Sequence, residues 1–398
     1  MAMLDQGIVS GASFATSVMV GRFCGEEALG LYALGFTLLI LIRGVQESLV
    51  LTPYTIFVAR LPGRRRPSYS GSALAHSAAA AFVSMLVLGG CGLALSASLR
   101  FSGFAPVVWM LTATLPLLLL REVARRFSFA ELQLGRAVRI DAVAAGCQLL
   151  LLAWLAVAGR LSAATALAAM GVACGASGAV WLVRSGRRHA IHRRRVVRDW
   201  RRNWSLGRWI FAEQMCGTAN SYSLHWLLAL LLGAAATGEF AAAATVVSLT
   251  NPMIIGLGNL LGPATAGAYA TGGVPEMERV VETFTWRMAG LMLLVCLAIA
   301  GFGNSALALL YGPSYANHGA ALTLLALALA ANALGMGADS GLRAMGRPRE
   351  TFYASLLALL VTICAGGCLT PAWNVIGAAC AVLAGNVAGA ARAAGAIA

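Results

Sequence analysis

The chain has 398 residues, of which 59% are hydrophobic and only 11% charged. Soluble domains carry roughly 25% charged residues, so this composition excludes a soluble enzyme, a secreted disulfide scaffold and a disordered chain. The formal net charge is +14, and every one of the 29 basic residues is Arg. Because the Arg clusters fall between apolar runs, we interpret the charge as membrane topology and exclude nucleic acid as a partner.

Twelve apolar runs are long enough to cross a membrane, for which about 18 residues is the lower limit. The predicted fold class is therefore all-α, a polytopic membrane protein with about twelve transmembrane helices. In chain order the predicted spans are residues 4–23, 29–52, 73–98, 104–120, 140–158, 162–183, 206–232, 239–262, 283–302, 320–342, 352–370 and 374–395.

The distribution of Arg predicts the orientation of these spans. If the N-terminus is cytoplasmic, 25 of the 29 Arg residues lie on the cytoplasmic side. Only Arg22, Arg100 and Arg160 then lie outside, and Arg43 lies within the second span. Cytoplasmic loops of membrane proteins carry such an excess, so we expect both termini to be cytoplasmic. The first span has no basic segment before it and no clear cleavage site, which favours a retained helix over a signal peptide.

The longest polar stretch falls at the middle of the chain. It predicts a basic cytoplasmic linker, residues 185–205, between a six-helix lobe at 1–184 and a second six-helix lobe at 206–398. Arg residues near a membrane surface attract anionic lipid headgroups by about 1 kcal/mol each, so we expect anionic membrane lipids as partners. The alternative is a solvated anchor that only sets topology.

An internal repeat supports the two lobes. Shifting the chain by 208 residues places Asp5-Gln6 on Glu213-Gln214, Gly25 on Gly233 and Gly30 on Gly238. An offset of six helices preserves the direction of each helix in the membrane. The repeat is therefore parallel, as in transporters whose two halves rock about a central cavity.

The same segments resemble a known family. The stretches DQGIVSGASF, GRFCGEEALGLYALGF and VQESLVLTP, with the later REVARRFSFAELQLGRAVRID, are similar to bacterial polysaccharide exporters of the multidrug/oligosaccharidyl-lipid/polysaccharide (MOP) superfamily. The resemblance implies a fold like that of the MATE transporters in this superfamily, and alternating access. It implies transfer of undecaprenyl-diphosphate-linked oligosaccharide across the bacterial inner membrane, with polymerase and chain-length machinery as further partners.

Ionisable residues inside spans are expensive, so they are the first candidates for function. Arg43 and Glu47 lie four residues apart in the second span, hence on one helix face. We predict that Arg43 meets a substrate phosphate while Glu47 holds it in place. The alternative is an Arg–Glu pair near the inner interface whose Arg extends towards the headgroups.

Other polar residues are predicted to line the cavity or its inner mouth. Asp339 and Arg343 form a second pair four residues apart, for which a structural salt bridge is the stronger interpretation. Three Arg residues at the end of span four can cradle a lipid phosphate or simply anchor the helix. The candidate cavity residues besides Arg43 and Glu47 are Asp5, Gln6, Glu213, Gln214, Asn220, His225, Asp339 and Arg343, and the candidate inner-leaflet phosphate residues are Arg121, Arg125 and Arg126.

No hydrolase, transferase or nucleotide-binding motif occurs, so we expect a transporter that is not an enzyme and that uses no cofactor and no metal. A drug or cation antiporter of the same superfamily is the main alternative. It needs a carboxylate deep in one lobe, whereas Asp5 and Glu213 are predicted near the inner mouth. An integral-membrane polysaccharide polymerase or acyltransferase is a further alternative, which the short outer loops disfavour.

Overall fold

The computed structural model describes residues 2–97, 103–185 and 190–396. These described residues are 94% helical and contain no strand. The predicted all-α fold is therefore confirmed. The last residue of the third predicted span, residues 186–189 of the predicted linker, and Arg100 lie outside the described residues.

The first compact unit comprises residues 1–24 and 31–218. Its first helix continues through a π-helical turn, Glu47–Leu51, into a short helix, and a 3₁₀ turn, Gly63–Arg65, precedes the third. The helices of this unit are α1 (Ala2–Gln46), α2 (Thr52–Ala59), α3 (Arg66–Ser96), α4 (Ala105–Ala130), α5 (Leu134–Val157), α6 (Ala163–Ser185) and most of α7 (Arg193–Leu231).

The second compact unit comprises residues 25–30 and 219–398. A 3₁₀ turn, Pro313–His318, separates two of its long helices. Besides residues 25–30 of α1 and the end of α7, its helices are α8 (Ala234–Ser248), α9 (Asn251–Tyr311), α10 (Gly319–Ala344) and α11 (Pro348–Gly395).

Eight helices of the described residues are long and apolar enough to cross a membrane, and the chain is a multi-pass membrane protein. Three of these stretches, of 55, 61 and 47 residues, are much longer than the roughly 20 residues that one crossing needs. Each of the three is broken by non-helical backbone, at Gly25, at Gly273 and at Trp373–Asn374. The breaks at Gly25 and Gly273 fall between predicted spans and the third falls at the start of the twelfth, so each long helix contains parts of two predicted spans.

Two predicted spans differ from the structure. The seventh, 206–232, lies in α7 but is not among the eight apolar helices, because it carries several polar side chains. The eighth, 239–262, is divided, since α8 ends at Ser248 and α9 begins at Asn251. Pro252 explains the division, because a Pro in the first turn of a helix cannot continue a preceding one.

The repeat is visible in the backbone. Gly25 has φ 84° and ψ −177°, and Gly233, its equivalent 208 residues later, has φ 96° and ψ −175°. Residues with a side chain rarely adopt this conformation, which explains why both positions carry Gly.

Small residues allow close helix packing in both units. A Cβ added at Gly171 would meet the side chain of Thr114, and one added at Gly175 would lie 3.0 Å from Leu117. These two glycines therefore let α6 pack closely on α4. In the second unit Gly385 and Gly389 approach residues 354–362 of the same long helix α11 in the same way. Small residues at helix contacts are typical of membrane proteins.

A cluster of buried charges in the first unit

The end of α4 carries three Arg and one Glu within two turns. The sequence Arg-Glu-Val-Ala-Arg-Arg places Arg121 four residues before Arg125, and Glu122 four residues before Arg126, so each pair lies on one face of the helix. Glu122 is only 4% exposed, which is rare for a Glu unless it is paired. The partners of these four residues come from α1, the π-helical turn and α5.

Two aspartates hold the buried side of this group. Arg121 donates from Nε and Nη2 to Asp141 Oδ1, at 2.9 and 2.6 Å. Arg125 donates to Asp5 Oδ2 from Nη2 and Nε at 3.0 and 3.2 Å, and its Nε lies 3.0 Å from Asp141 Oδ2. The two carboxyl groups therefore share the Arg125 guanidinium. Asp5 and Asp141 are 1% and 0% exposed, so this part of the group is closed to solvent.

The outer side of the group is partly open. Arg43 Nη2 lies 3.0 Å from Glu122 Oε2, and 28% of the Arg43 side chain is exposed. Arg126 Nη2 lies 2.6 Å from Glu47 Oε1, and 36% of the Arg126 side chain is exposed. Arg43 and Arg126 are therefore the cations of this group that a ligand can reach.

The predicted Arg43–Glu47 pair does not form, and the two residues pair instead with Glu122 and Arg126 of α4. The α-helix ends at Gln46 and a π-helical turn begins at Glu47, so the regular four-residue spacing is lost there. The order of the two residues, base before acid, is also the weaker one for a helical pair. Glu47 instead forms an ion pair with Arg126 and accepts a hydrogen bond from Thr52 Oγ1.

We call these eight residues the charge cluster: Asp5, Arg43, Glu47, Arg121, Glu122, Arg125, Arg126 and Asp141. It contains four cations and four carboxylates, so it is formally neutral when all are ionised. Burial of charges is costly unless each is paired and hydrogen-bonded, and the contacts above supply that pairing.

Sequence reasoning missed two members of the charge cluster, Glu122 and Asp141. Both carried a usable signal. Glu122 is a lone acid among Arg residues, and Asp141 is the acid at the start of an apolar run, where a carboxylate needs a partner. Arg121 and Arg125, predicted as phosphate ligands, are instead 12% and 13% exposed and hold carboxylates.

The repeat-related acids lie in different surroundings. Asp5 was predicted at the inner mouth, but it is buried against Arg125, whereas Glu213 and Gln214 are exposed. Gln6 donates a hydrogen bond to Ser10 within α1, at 3.4 Å. The two acid-Gln pairs therefore do not form equivalent sites.

The second unit has a polar cavity of its own, between α7, α10 and α11. Asn220 donates to Asn386 Oδ1 at 3.4 Å and accepts from Thr362 at 3.3 Å. Asn332 and Asp339 line the same cavity. His225 is instead packed against Phe240, with ring centroids 5.0 Å apart, and Arg343 is exposed at the end of α10. Asn220 and Asp339 are thus brought together, while His225 and Arg343 do not line this cavity.

Within the described residues, no group of three or more His, Cys, Asp or Glu side chains is arranged to hold a metal ion.

The structure resembles solved membrane transporters over nearly its whole length. An inward-facing multidrug resistance MATE family transporter of the MOP superfamily matches with a TM-score of 0.73 and 16% identity, over 97% of this chain and 92% of that one. The lipid II flippase MurJ, in an inward closed conformation, matches with a TM-score of 0.75 and 10% identity, over 99% and 86%. A MOP superfamily transporter from Pyrococcus furiosus matches with a TM-score of 0.68 and 15% identity, over 98% and 91%.

No family model matches the sequence, and no curated protein matches it. At identities of 10–16% the structural likeness defines the fold alone. The chain has the fold of the MATE and MOP transporters.

Proposed function

We propose that the protein transports an amphiphile with a phosphate-bearing head across the bacterial inner membrane by alternating access. The cargo we propose is undecaprenyl-diphosphate-linked oligosaccharide. The observation that carries this proposal is the partly open side of the charge cluster, where the cations Arg43 and Arg126 remain accessible while Arg121 and Arg125 are enclosed.

Arg43 is suited to meet a phosphate without losing its own support. Glu122 contacts its Nη2 atom, and a guanidinium has five N–H donors, so the remaining donors can reach phosphate oxygens. A planar guanidinium binds phosphate with two parallel hydrogen bonds, and it stays charged at every working pH.

Arg121 and Arg125 have a different role in this proposal. They neutralise Asp5, Glu122 and Asp141 inside the unit, so that Arg43 and Arg126 are held at the rim in a fixed position. The membrane potential, negative inside, then favours outward movement of an anionic cargo by about 2.3 kcal/mol per charge per 100 mV.

Transport can be tested with the full chain in proteoliposomes and a fluorescent undecaprenyl-diphosphate-linked oligosaccharide. An impermeant reagent that destroys the fluorophore on one leaflet reports the movement of the lipid. We expect the wild type to move it and to leave a neutral glycolipid of the same chain length in place. Equal movement of both lipids, or of neither, would refute the proposal.

A drug antiporter coupled to protons is the second candidate, and the burial of Asp5 and Asp141 favours it. The two carboxyl groups are 1% and 0% exposed and share Arg125. Asp5 Oδ1 has no hydrogen-bond partner in the described residues, and in the antiporter these two carboxyls carry the proton.

Proton movement in proteoliposomes separates the two candidates. In the antiporter, addition of a cationic drug to vesicles with a pH gradient releases protons, and Asp141→Asn abolishes this release. If the drug releases no protons from wild-type vesicles that do move the diphosphate lipid, the antiporter candidate fails.

A further inference from the structure

The first turns of α7, residues 193–208, lie against α3 through two of their polar side chains. Ser72 donates to Asp199 Oδ2 at 2.7 Å, and the Tyr69 hydroxyl donates to Asn203 Oδ1 at 2.6 Å. Asn203 is 0% exposed. A surface helix of a soluble protein buries an apolar face, whereas this segment is attached to α3 by polar contacts.

Apolar side chains of this segment are partly exposed, although Trp200 also packs against His76 of α3, with ring centroids 5.2 Å apart. Val197, Trp200 and Trp204 are 58%, 36% and 45% exposed. The rings of Trp200 and Trp204 lie side by side, with centroids 5.9 Å apart. Exposed Trp is characteristic of the interface between membrane and water, where one edge of the ring is apolar and the other is hydrated.

A row of Arg residues runs beside the aromatic row. Arg194, Arg198 and Arg201 are three or four residues apart, hence on one face of the helix, and all three are exposed. Residues 193–208 contain seven Arg and a single acid, Asp199, which is bound to Ser72. The outward face is therefore strongly basic and partly aromatic at once.

We propose that this face of α7 binds the headgroups of anionic lipids at the membrane surface. An exposed helix with Arg beside Trp has the chemistry of an interfacial segment, in which the rings enter the headgroup region and the guanidinium groups meet phosphate. The polar bonds to α3 hold the helix in place, so the lipid site is built into the first unit. The proposal concerns lipid and does not depend on the transported substrate.

Quenching of Trp fluorescence by brominated lipid tests the site directly. The full chain is placed in nanodiscs of phosphatidylcholine that contain a minor fraction of either brominated phosphatidylglycerol or brominated phosphatidylcholine. We expect brominated phosphatidylglycerol to quench the wild type more strongly than brominated phosphatidylcholine. In the double variant Trp200→Phe/Trp204→Phe, most of this difference between the two lipids should disappear. Equal quenching of the wild type by the two lipids would overturn the proposal.

Charge variants locate the binding. Arg194→Gln/Arg198→Gln/Arg201→Gln should abolish the excess quenching, and Arg198→Gln alone should reduce lipid enrichment about fivefold. The matched control Arg160→Gln/Arg287→Gln/Arg349→Gln removes three exposed Arg residues elsewhere and should leave it unchanged. An equal loss in both triple variants, or in neither, would mean that the lipid binds somewhere else.

Salt distinguishes a lipid surface from a site for a soluble anion. Sodium chloride and sodium phosphate of equal ionic strength should weaken the excess quenching equally, since both act by screening. A much stronger effect of phosphate would show a soluble phosphate site, and the lipid proposal would be wrong.

Discussion

Gly30 and Gly238 are equivalent positions of the repeat, and each faces the other across one helix crossing. A Cβ added at Gly30 would meet the carbonyl of Ala234, and one added at Gly238 would meet the carbonyl of Glu26. Residues 26 and 234 are themselves 208 positions apart, so the contact is symmetric. Each helix therefore packs against the other with the same residue, and backbone meets backbone on both sides.

This symmetric crossing predicts that neither Gly tolerates a side chain. Gly30→Ala and Gly238→Ala should each destabilise the protein by about 1–3 kcal/mol, because carbonyl groups cannot move aside as a flexible side chain can. Thermal unfolding of the full chain in detergent measures the effect. Gly217→Ala in α7 is the matched control, since its Cβ would meet nothing within 4 Å. If the three variants melt at one temperature, the close approach is absent.

The charge cluster predicts a large effect of Glu122. Glu122→Gln leaves Arg43, Arg121 and Arg125 without a carboxylate they share, and breaking a buried ion pair costs about 3–5 kcal/mol. Denaturant or thermal unfolding in detergent measures it. Glu278→Gln, an exposed acid in α9, is the control and should have little effect. Equal stability of the two variants would show that Glu122 is not a buried counter-charge.

Substitutions of Arg43 test its proposed part in transport. Arg43→Ala should nearly abolish movement of the diphosphate lipid, while Arg43→Lys should keep part of it, because the charge remains but the planar fork is lost. Transport per reconstituted protein is the measurement. Arg160→Ala serves as control, since Arg160 lies in the α5–α6 connection away from the charge cluster. Wild-type transport by Arg43→Ala would make Arg43 a structural residue.

Glu47 should matter less than Arg43. It pairs with Arg126 and Thr52, so Glu47→Gln leaves the Arg43–Glu122 contact intact. We expect a moderate decrease in transport in the same assay. A loss as complete as that of Arg43→Ala would mean that Arg126, rather than Arg43, is the cation that meets the phosphate.

Orientation in the membrane can be tested at α7. The predicted topology places residue 194 on the cytoplasmic side, so Arg194→Cys in a background without the nine native Cys should be inaccessible to an impermeant thiol reagent added to intact cells. Labelling should appear once the cells are opened. Labelling of intact cells would reverse the predicted orientation.

The positions of the helices could be predicted because length and apolar composition are local properties. The continuity of the helices could not be predicted, because the chain between predicted spans can also be helical. Residues 263–282 were predicted to connect two spans, yet they lie within α9, which is broken only at Gly273. Likewise the predicted linker, 185–205, is already helical from Arg193.

The choice of ionic partners was beyond sequence reasoning for a different reason. The four-residue spacing of Arg43 and Glu47 assumes one regular helix. Their actual partners, Glu122 and Arg126, lie on α4, so the pairing depends on how the helices pack. The buried position of Asp5 has the same origin, because Arg125 reaches it from 120 residues away. Local spacing predicted the right residues for Arg43 and Glu47 but the wrong pair.

The equal numbers of cations and carboxylates in the charge cluster have an electrical consequence. A transmembrane voltage does work on a moving group in proportion to its net charge, at about 2.3 kcal/mol per elementary charge per 100 mV. Four positive and four negative groups that move together carry no net charge through the field. A rearrangement of the first unit would therefore contribute almost no gating current from these residues, and the voltage would act on the cargo and on any proton that travels with it.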